Sequence, residues 1–265
     1  MHEVRKGEGK MLEINKIHLG DSYELIKQIP DKSIDLVIID PPYLIDYKTN
    51  YRKDKTHDFC SAIENDSNSY LIEYIIPELH RVLKDNTAIY AFTSPDTIDF
   101  FKSLIDKYFK IKNIIIWVKN NWTAGDLEAQ YGKQYEMCVY ANKGRCFING
   151  KRVTDVWIAA EEMGLNRVAG NLQTHQNEKP LELIKKMIIN SSQPNDLILD
   201  CFSGSGTTCV AAKELNRRFI GIEIDPRYHK ISVDRLNGIT TSGQTSIFTD
   251  FEQLVIAPQD GAEGK

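Results

Sequence analysis

The sequence of 265 residues contains little cysteine and no long apolar run. No stretch approaches the roughly 20 consecutive apolar residues of a membrane span, so no membrane segment is expected. The first ten residues are polar and lack the apolar core of a signal peptide, which predicts a cytoplasmic protein. An odd cysteine count favours reduced thiols, and the absence of CxxC spacing predicts that no metal is bound. The five cysteines are Cys60, Cys138, Cys146, Cys201 and Cys209.

The chain also lacks the excess of positive charge that is common in nucleic-acid-binding domains, since its formal net charge is -4 at pH 7. Residues 110–153 depart from this average, with eight basic and three acidic side chains. Such a local patch can bind phosphates whatever the total charge is. A solvated lysine-rich face explains the same pattern equally well, so charge alone leaves both interpretations open.

Apolar segments with strand patterns alternate with amphipathic helical segments along the chain. This alternation predicts an α/β fold, in which a doubly wound, mostly parallel sheet is covered by helices on both faces. Ser22 is the predicted N-cap of the first helix, and Thr207 and Thr208 are predicted to cap a later one. The predicted strands span 16–20, 34–39, 87–92, 114–118, 136–140, 197–199 and 219–222, and the predicted helices span 22–28, 69–84, 96–108, 180–190, 207–215 and 226–236.

The apolar run 34–39 ends at four unusual residues, Asp40, Pro41, Pro42 and Tyr43. Proline cannot continue a sheet ladder, and each proline restricts the residue before it to an extended conformation. The sequence therefore predicts a stiff loop at the carboxyl end of a strand, with one carboxylate, exposed carbonyls and an aromatic ring. This loop suits a flat molecule with an amino group on its edge, because the carboxylate and a carbonyl can accept from that group while Tyr43 covers the ring.

A second constellation runs from Asp200 to Thr208, after a predicted strand and at the start of a predicted helix. Gly204 and Gly206 permit a tight turn and a close approach of the backbone to a ligand. Glu223 ends the next strand nineteen residues after Gly204, and an acid at about this distance suits ribose hydroxyls. The GxGxxG of dinucleotide sites and the Gly-Lys-Ser/Thr of phosphate-binding loops are both missing, which favours S-adenosylmethionine as the cofactor. A tight turn with no ligand is the alternative.

Together, the two constellations resemble the amino-group DNA methyltransferases that use S-adenosylmethionine. Residues 40–43 are similar to their catalytic motif, and residues 202–206 to their cofactor motif. The catalytic motif comes first here, which matches the β class of the family, where a target-recognition region lies between the motifs. The resemblance covers about residues 14–236 and implies the class I methyltransferase fold with that inserted region. One departure is Cys201, where the family commonly has proline, and little consequence is expected because the glycines are intact.

The resemblance implies a site-specific enzyme that transfers a methyl group to the N6 amino group of an adenine flipped out of the duplex. Asp40 is typical of adenine-N6 enzymes, whereas serine at this position is typical of cytosine-N4 enzymes. Asp40 and a proline carbonyl would accept the two amino hydrogens, and Tyr43 would stack on the base. The implied catalytic residues are Asp40, Pro41, Pro42 and Tyr43.

The resemblance also assigns cofactor contacts residue by residue. Asp21 is similar to an acid that binds the adenine of the cofactor. His175 and Lys179 resemble a segment beside the cofactor's methionine end, although a structural role is the commoner fate of a lone histidine. Glu223 and Asp225 match ribose-binding acids. The full predicted cofactor set is Asp21, His175, Lys179, Asp200, Phe202, Gly204, Ser205, Gly206, Thr207, Thr208, Glu223 and Asp225.

Contacts to DNA are predicted from the loop after Asp40 and from the irregular stretch between the motifs. The basic segment 47–57 is predicted to close over DNA as a lid, with a solvated surface loop as the alternative. Residues 117–120 resemble a motif that lines the target-base pocket. The predicted DNA contacts are Lys48, Arg52, Lys53, Lys119, Trp122, Lys133 and Arg145. The predicted divisions are a flexible leader (1–13), a catalytic half (14–119), a target-recognition region (120–173), a cofactor-binding half (174–238) and a tail (239–265).

Other functions on the same pattern are a cytosine-N4 DNA methyltransferase, an RNA or protein amide methyltransferase, and a DNA-binding protein that has lost catalysis. Relatives that act on RNA or on protein glutamine usually have asparagine before Pro-Pro-Tyr and place the glycine motif first, so Asp40 and the motif order oppose them. The intact Asp40, Tyr43 and glycine loop oppose a loss of catalysis. DNA is therefore the predicted partner. A homodimer and a cognate restriction endonuclease are further partners that the resemblance leaves open.

Overall fold

The computed structural model describes residues 11–42, 69–119, 128–158 and 179–239. The strands of these residues form one eight-stranded sheet in the order β1-β8-β7-β2-β3-β5-β4-β6. Of these strands, only β5 runs antiparallel to its neighbours, so the prediction of a mostly parallel sheet is confirmed. The strands are β1 (Lys16–Leu19), β2 (Ile34–Ile39), β3 (Leu83–Thr93), β4 (Lys110–Val118), β5 (Tyr135–Lys143), β6 (Val156–Ile158), β7 (Leu197–Asp200) and β8 (Arg218–Glu223).

Helices cover both faces of the sheet, as predicted for a doubly wound α/β fold. They are α1 (Ser22–Leu25), which continues as a 3-10 turn (Ile26–Gln28), α2 (Ser69–Val82), α3 (Ile98–Ile105), α4 (Leu181–Ser191), α5 (Thr207–Glu214) and α6 (Pro226–Leu236). One core lies under α2 and α3, and the other lies under α4 and α5. Strand β2 shows why both cores form, since successive side chains point to opposite faces. Val37 and Ile39 enter the first core, while Leu36 and Ile38 enter the second.

The parallel pairing of β2 with β7 joins two parts of the chain that are far apart in sequence. Leu36 lies opposite Ile198 and Val37 lies opposite Leu199. Parallel neighbours end at the same edge of the sheet, so the loop after β2 and the loop after β7 emerge side by side. Ligands of open α/β sheets bind at this carboxyl edge. Asp40 follows β2, Asp200 ends β7 and Glu223 ends β8, the neighbour of β7. All three carboxylates therefore lie at this edge.

The predicted caps of two helices were wrong. Asp21, and not Ser22, is the N-cap of α1, because its side chain accepts from the backbone N–H of Tyr23 at 2.9 Å. The residue before α5 is Gly206, which has a φ of +82° and no side-chain cap, so neither Thr207 nor Thr208 caps this helix. A left-handed backbone at the glycine turn leaves the cap position to glycine.

Strands β5 and β6 fall within residues 120–173, the stretch predicted to recognise the target sequence. Strand β5 is central, because it pairs with β3 on one side and with β4 on the other. The nine residues of β5 and the three of β6 are therefore part of the sheet scaffold. The recognition region stays a prediction, and its described candidates are the residues that flank these strands.

The cysteines that the structure describes (Cys138, Cys146, Cys201 and Cys209) are free thiols. Three of them are buried among apolar residues, where burial raises the pKa of the thiols of Cys138, Cys201 and Cys209 well above the usual value. Among the helices described, none combines the length and apolar character needed to cross a bilayer.

Replacing Leu36 by alanine should lower the free energy of unfolding by about 2–5 kcal/mol, because its fully buried side chain would leave a cavity at the centre of the sheet. The matched control is Leu19→Ala, whose side chain is 49% exposed and should cost about 1 kcal/mol or less. Urea denaturation of both variants measures the difference. Equal losses would contradict the assignment of Leu36 to the core.

Candidate active site

The predicted catalytic loop begins where β2 ends. Asp40 follows Ile39 directly, and 27% of its side chain is exposed to solvent. Pro41 is buried and Pro42 is half-buried. Neither proline can donate to the sheet, so the ladder stops at this point and the Asp40 carboxylate projects from a fixed strand end.

Lys179 contacts the Asp40 carboxylate directly. The Lys179 ammonium donates to Oδ2 of Asp40 at 2.5 Å, and it lies 5.0 Å from the centre of the Phe92 ring. Only 6% of Lys179 is exposed. Its place immediately before Pro180 and α4 carries it to this edge of the sheet. The sequence prediction put Lys179 at the methionine end of the cofactor, and the structure places it against the predicted catalytic carboxylate.

Glu136 is a second carboxylate beside Lys179, and it was not identified from the sequence. Its Oε2 lies 3.3 Å from the Lys179 ammonium, and its Oε1 accepts from Lys119 at 2.7 Å. Burial opposes ionisation of Glu136, but the two ammonium groups overcome this effect and lower its pKa to about 2. Because β5 is antiparallel, its first residues lie at the edge where β2 ends. A charged residue just before the apolar run Met137–Ala141 was the available signal.

The glycine loop between β7 and α5 is held from β8. The Glu223 side chain accepts from the Gly204 N–H at 2.6 Å through one oxygen and from the Asp225 N–H at 2.8 Å through the other. A Cβ atom on Gly206 would lie 2.7 Å from the Cβ of Ser232, so only glycine fits this turn. One buried carboxylate thus ties the glycine loop after β7 to the segment after β8.

Asp200 ends β7 and is 4% exposed. Its carboxylate accepts from the Phe202 N–H at 3.0 Å and from the Thr208 side chain. Burial is the main cause that raises the pKa of Asp200 to about 7, and the nearby charges of Asp40 and Glu223 add to this effect. Burial also raises the pKa of Glu223. The edge therefore disfavours further negative charge and favours a cationic ligand.

These groups fit S-adenosylmethionine, whose one anionic group is its carboxylate. Its sulfonium and ammonium groups are cationic and its ribose hydroxyls and adenine amino group are hydrogen-bond donors, and the loop edge supplies the carboxylates of Asp200 and Glu223 as acceptors. Asp21 lies exposed at the end of β1 on the far side of β8, and Asp225 caps α6. In the part of the chain that the structure describes, no group of three or more His, Cys, Asp or Glu side chains could hold a metal ion.

Two further residues hold the cofactor loop, and the sequence patterns did not assign this role to either. Arg235 on α6 donates to the backbone oxygen and the hydroxyl of Ser205, both at 2.8 Å, and lies 3.3 Å from the Thr207 hydroxyl. The Ser22 hydroxyl donates to the Cys201 carbonyl. These contacts tie the loop after β7 to α6 and to α1, so with the Glu223 contact from β8 its shape depends on three separate elements.

The predicted DNA-binding residues are divided between two edges of the sheet. Lys119 pairs with Glu136, and Lys133 pairs with Asp96, both at the edge where Asp40 lies. Arg145 lies at the opposite edge, where its backbone N–H donates to the Asn86 side chain. The structure does not bring Arg145 together with the other predicted contacts, because β5 runs antiparallel and ends away from the site. Tyr43, Lys48, Arg52, Lys53, Trp122 and His175 lie outside the described residues.

A mostly parallel sheet with an acceptor loop after one strand and a glycine loop after its neighbour defines an S-adenosylmethionine-dependent methyltransferase of the class I fold. Comparison with known families gives the particular family. Residues 34–234 match the model of a DNA methylase family that covers N6 and N4 amino-methyltransferases. The chain belongs to this family, which confirms the predicted DNA methyltransferase and its cofactor.

Several named relatives are similar over most of their length. Type II methyltransferase M1.MboII of Moraxella bovis is 30% identical, over 82% of this chain and 95% of that protein. DNA adenine methyltransferase YhdJ of Escherichia coli (strain K12) is 31% identical, over 82% of this chain and 81% of that protein. The crystal structure of the M1.HpyAVI-SAM complex is 26% identical, with a TM-score of 0.58, over 84% of this chain and 98% of that chain.

Replacing Asp200 by asparagine should change how stability depends on pH. In the wild-type protein the raised pKa means that the native state binds more protons than the unfolded state between about pH 4 and pH 7, so stability falls as pH rises through this window. The asparagine cannot ionise, so D200N should gain stability relative to the wild type between about pH 4 and pH 7, on the order of 2 to 4 kcal/mol.

Urea denaturation at several pH values, without cofactor, measures this difference. The control is Asp106→Asn, at an exposed position after α3, which should leave the pH dependence unchanged. If the free energies of unfolding of D200N and the wild type differed by the same amount at every pH in this range, the Asp200 carboxyl could not be one that is protonated near neutral pH.

Proposed function

We propose that this chain transfers the methyl group of S-adenosylmethionine to the N6 amino group of adenine in a specific DNA sequence. The observation that carries this proposal is the Asp40 carboxylate, which projects from the end of β2 beside the glycine loop at the end of β7. The relative YhdJ is named a DNA adenine methyltransferase, which supports adenine as the target.

Asp40 would act on the target amino group. The nitrogen of an adenine amino group is a poor nucleophile, because its lone pair is delocalised into the ring. A carboxylate oxygen and the carbonyl of Pro41 or Pro42 would accept the two amino hydrogens and favour a pyramidal nitrogen. The lone pair would then point away from the ring and toward the methyl donor. Most of the rate acceleration would come from positioning and electrostatics.

The cofactor half of the site would orient the methyl donor. When bound, the sulfonium supplies an activated methyl group, so no nucleophilic side chain of the protein is needed. The Glu223 carboxylate would accept from the ribose hydroxyls while it holds the Gly204 and Asp225 N–H groups. Asp200, at the neighbouring strand end, would face a cationic part of the cofactor. The remaining predicted contacts would complete the set, with Asp21 and Asp225 at the adenosine end and His175 at the methionine end.

DNA would approach the carboxyl edge of the sheet. The target nitrogen is inaccessible within a duplex, so the base must be flipped out to reach Asp40, and Tyr43 would stack on it. Lys119 and Lys133 lie at this edge and would contact phosphates. Segment 47–57 would close over the DNA, and the flanks of β5 and β6 within 120–173 would read the sequence.

Two protein partners also belong to this proposal. The relative M1.MboII is named a type II methyltransferase, which supports a cognate restriction endonuclease as the functional partner of this chain.

A homodimer is the assembly proposed for the enzyme, and the cytoplasm is the compartment that gives it access to DNA. Sedimentation with and without DNA tests the assembly.

Cytosine-N4 is the second candidate target, because the matched family model covers both N6 and N4 enzymes. The two are separated by digesting methylated DNA to nucleosides and identifying the modified base by mass spectrometry. N6-methyladenine is the expected product. N4-methylcytosine alone would overturn the choice of base while leaving the family intact.

Asp40→Ala should reduce methyl transfer to unmethylated genomic DNA by at least about 10²-fold, because it removes the acceptor for the amino hydrogens. Binding of S-adenosylmethionine, measured by calorimetry, should stay within about threefold of the wild type. Retained transfer in D40A would exclude the proposed role of this carboxylate.

Glu223→Ala should weaken cofactor binding by about 10- to 100-fold, because a charged acceptor is lost from both the ligand and the glycine loop. The matched control is Asp234→Ala, which removes an acid from the Lys230 ion pair on α6. Calorimetry of both variants with S-adenosylmethionine measures the effect. An unchanged affinity for E223A would argue against a ribose contact.

A further inference from the structure

Four charged side chains alternate in sign across the end of the sheet, and we name them the charge array. It runs from Lys119 through Glu136 and Lys179 to Asp40, with nitrogen–oxygen distances of 2.7, 3.3 and 2.5 Å. The members come from the ends of β4 and β2, from the start of β5 and from the residue before Pro180. The array therefore joins the predicted catalytic carboxylate to a part of the chain 139 residues away.

The burial of Lys179 makes this contact different from an ordinary surface ion pair. An exposed pair contributes little and leaves both side chains mobile. An ammonium that is 6% exposed is stable only if its partners are well placed, because taking it out of water is costly. Glu136 and Asp40 are those partners, and the Phe92 ring lies against the same ammonium. The geometry of Asp40 is therefore coupled to the geometry of Glu136.

We propose that Lys179 and Glu136 are positioning residues for Asp40, with Lys179 fixing Oδ2 of the catalytic carboxylate and Glu136 fixing Lys179. A carboxylate has about four acceptor positions on its two oxygens, so an ion pair on one oxygen leaves capacity to accept from a base amino group. Holding one oxygen sets the rotation of the whole carboxylate group and so sets the direction of its other acceptor positions. This inference rests on the proposed function, in which Asp40 accepts from the target amino group.

The family resemblance predicts a different role for Lys179, as a contact of the cofactor's carboxylate. The two roles make opposite kinetic predictions. A cofactor contact acts on the affinity for S-adenosylmethionine. A positioning residue for Asp40 acts on the rate of methyl transfer once cofactor and DNA are both bound, because misplacement of a catalytic group by about 1 Å can slow the reaction about 10²-fold.

The first experiment replaces Lys179 by methionine, which keeps the length of the side chain and removes the ammonium. Methyl transfer to unmethylated genomic DNA at saturating S-adenosylmethionine should fall by about 10²-fold, while the calorimetric Kd for the cofactor stays within about threefold. Lys179→Arg should recover part of the rate, since a guanidinium can still bridge two carboxylates. The matched control is Lys185→Met, because Lys185 bridges Glu182 and Glu214 at 2.8 Å each, away from the site.

The second experiment uses Glu136→Gln, because K179M leaves two carboxylates facing each other and its fold has to be checked by thermal unfolding. In E136Q the carboxylate of Asp40 and the ammonium of Lys179 are both kept. The rate of methyl transfer should fall by about 10-fold with unchanged cofactor affinity. Glu214→Gln is its control at the Lys185 bridge and should keep the wild-type rate.

A wild-type rate in folded K179M or in E136Q would overturn the inference. So would a cofactor Kd weakened 10-fold or more with the rate at saturating cofactor preserved, since that outcome assigns Lys179 to the cofactor. If K179M does not fold, the rate of methyl transfer and the cofactor affinity of E136Q alone test the inference. A wild-type enzyme that does not methylate DNA adenine would instead overturn the proposed function, and the ratios of variant to wild type on its actual base would still test the array.

Discussion

The parallel pairing of β2 with β7 is the contact on which the active site depends. It sets Leu36 against Ile198 and Val37 against Leu199, although these residues are about 160 positions apart in the chain. Because paired parallel strands end together, the carboxylates of Asp40 and Asp200 are held at one edge of the sheet. The two loops can then serve a single reaction, one facing the amino group to be methylated and the other facing the methyl donor.

Several carboxylates at one edge of the sheet destabilise the folded state, because like charges repel and burial disfavours ionisation. The protein offsets this effect in two ways. Around Asp40, the effect is offset by the ammonium groups of Lys179 and Lys119, which also keep Glu136 ionised. Around Asp200 and Glu223, backbone N–H groups supply only part of the compensation, and burial raises the pKa of both carboxyls. The half of the edge around Asp40 is thus charged and already paired, while the half around Asp200 and Glu223 is only partly compensated by the protein itself.

Local patterns predicted most of the fold correctly, because apolar periodicity and proline or glycine breaks act over short segments. The helix at Pro226–Leu236 and the strand at Ile34–Ile39 have the predicted bounds. Where predictions failed, a nearby residue competed for the same position. Asp21 caps α1 in place of Ser22, and Gly206 takes the turn before α5. The placement of Arg145 depends on the reversed direction of β5, which no local pattern encodes.

The sequence by itself determined the two motifs, their order along the chain and the alternation of strands and helices, and through these the family and the cofactor. Only the tertiary structure decided that Lys179 contacts Asp40, that Glu136 holds Lys179, and that Asp200 is buried enough for its pKa to rise to about 7. The reason is physical. Backbone preferences act within a few residues, whereas the strength of a charge interaction depends on distance and burial, and these follow from the order in which the strands pair.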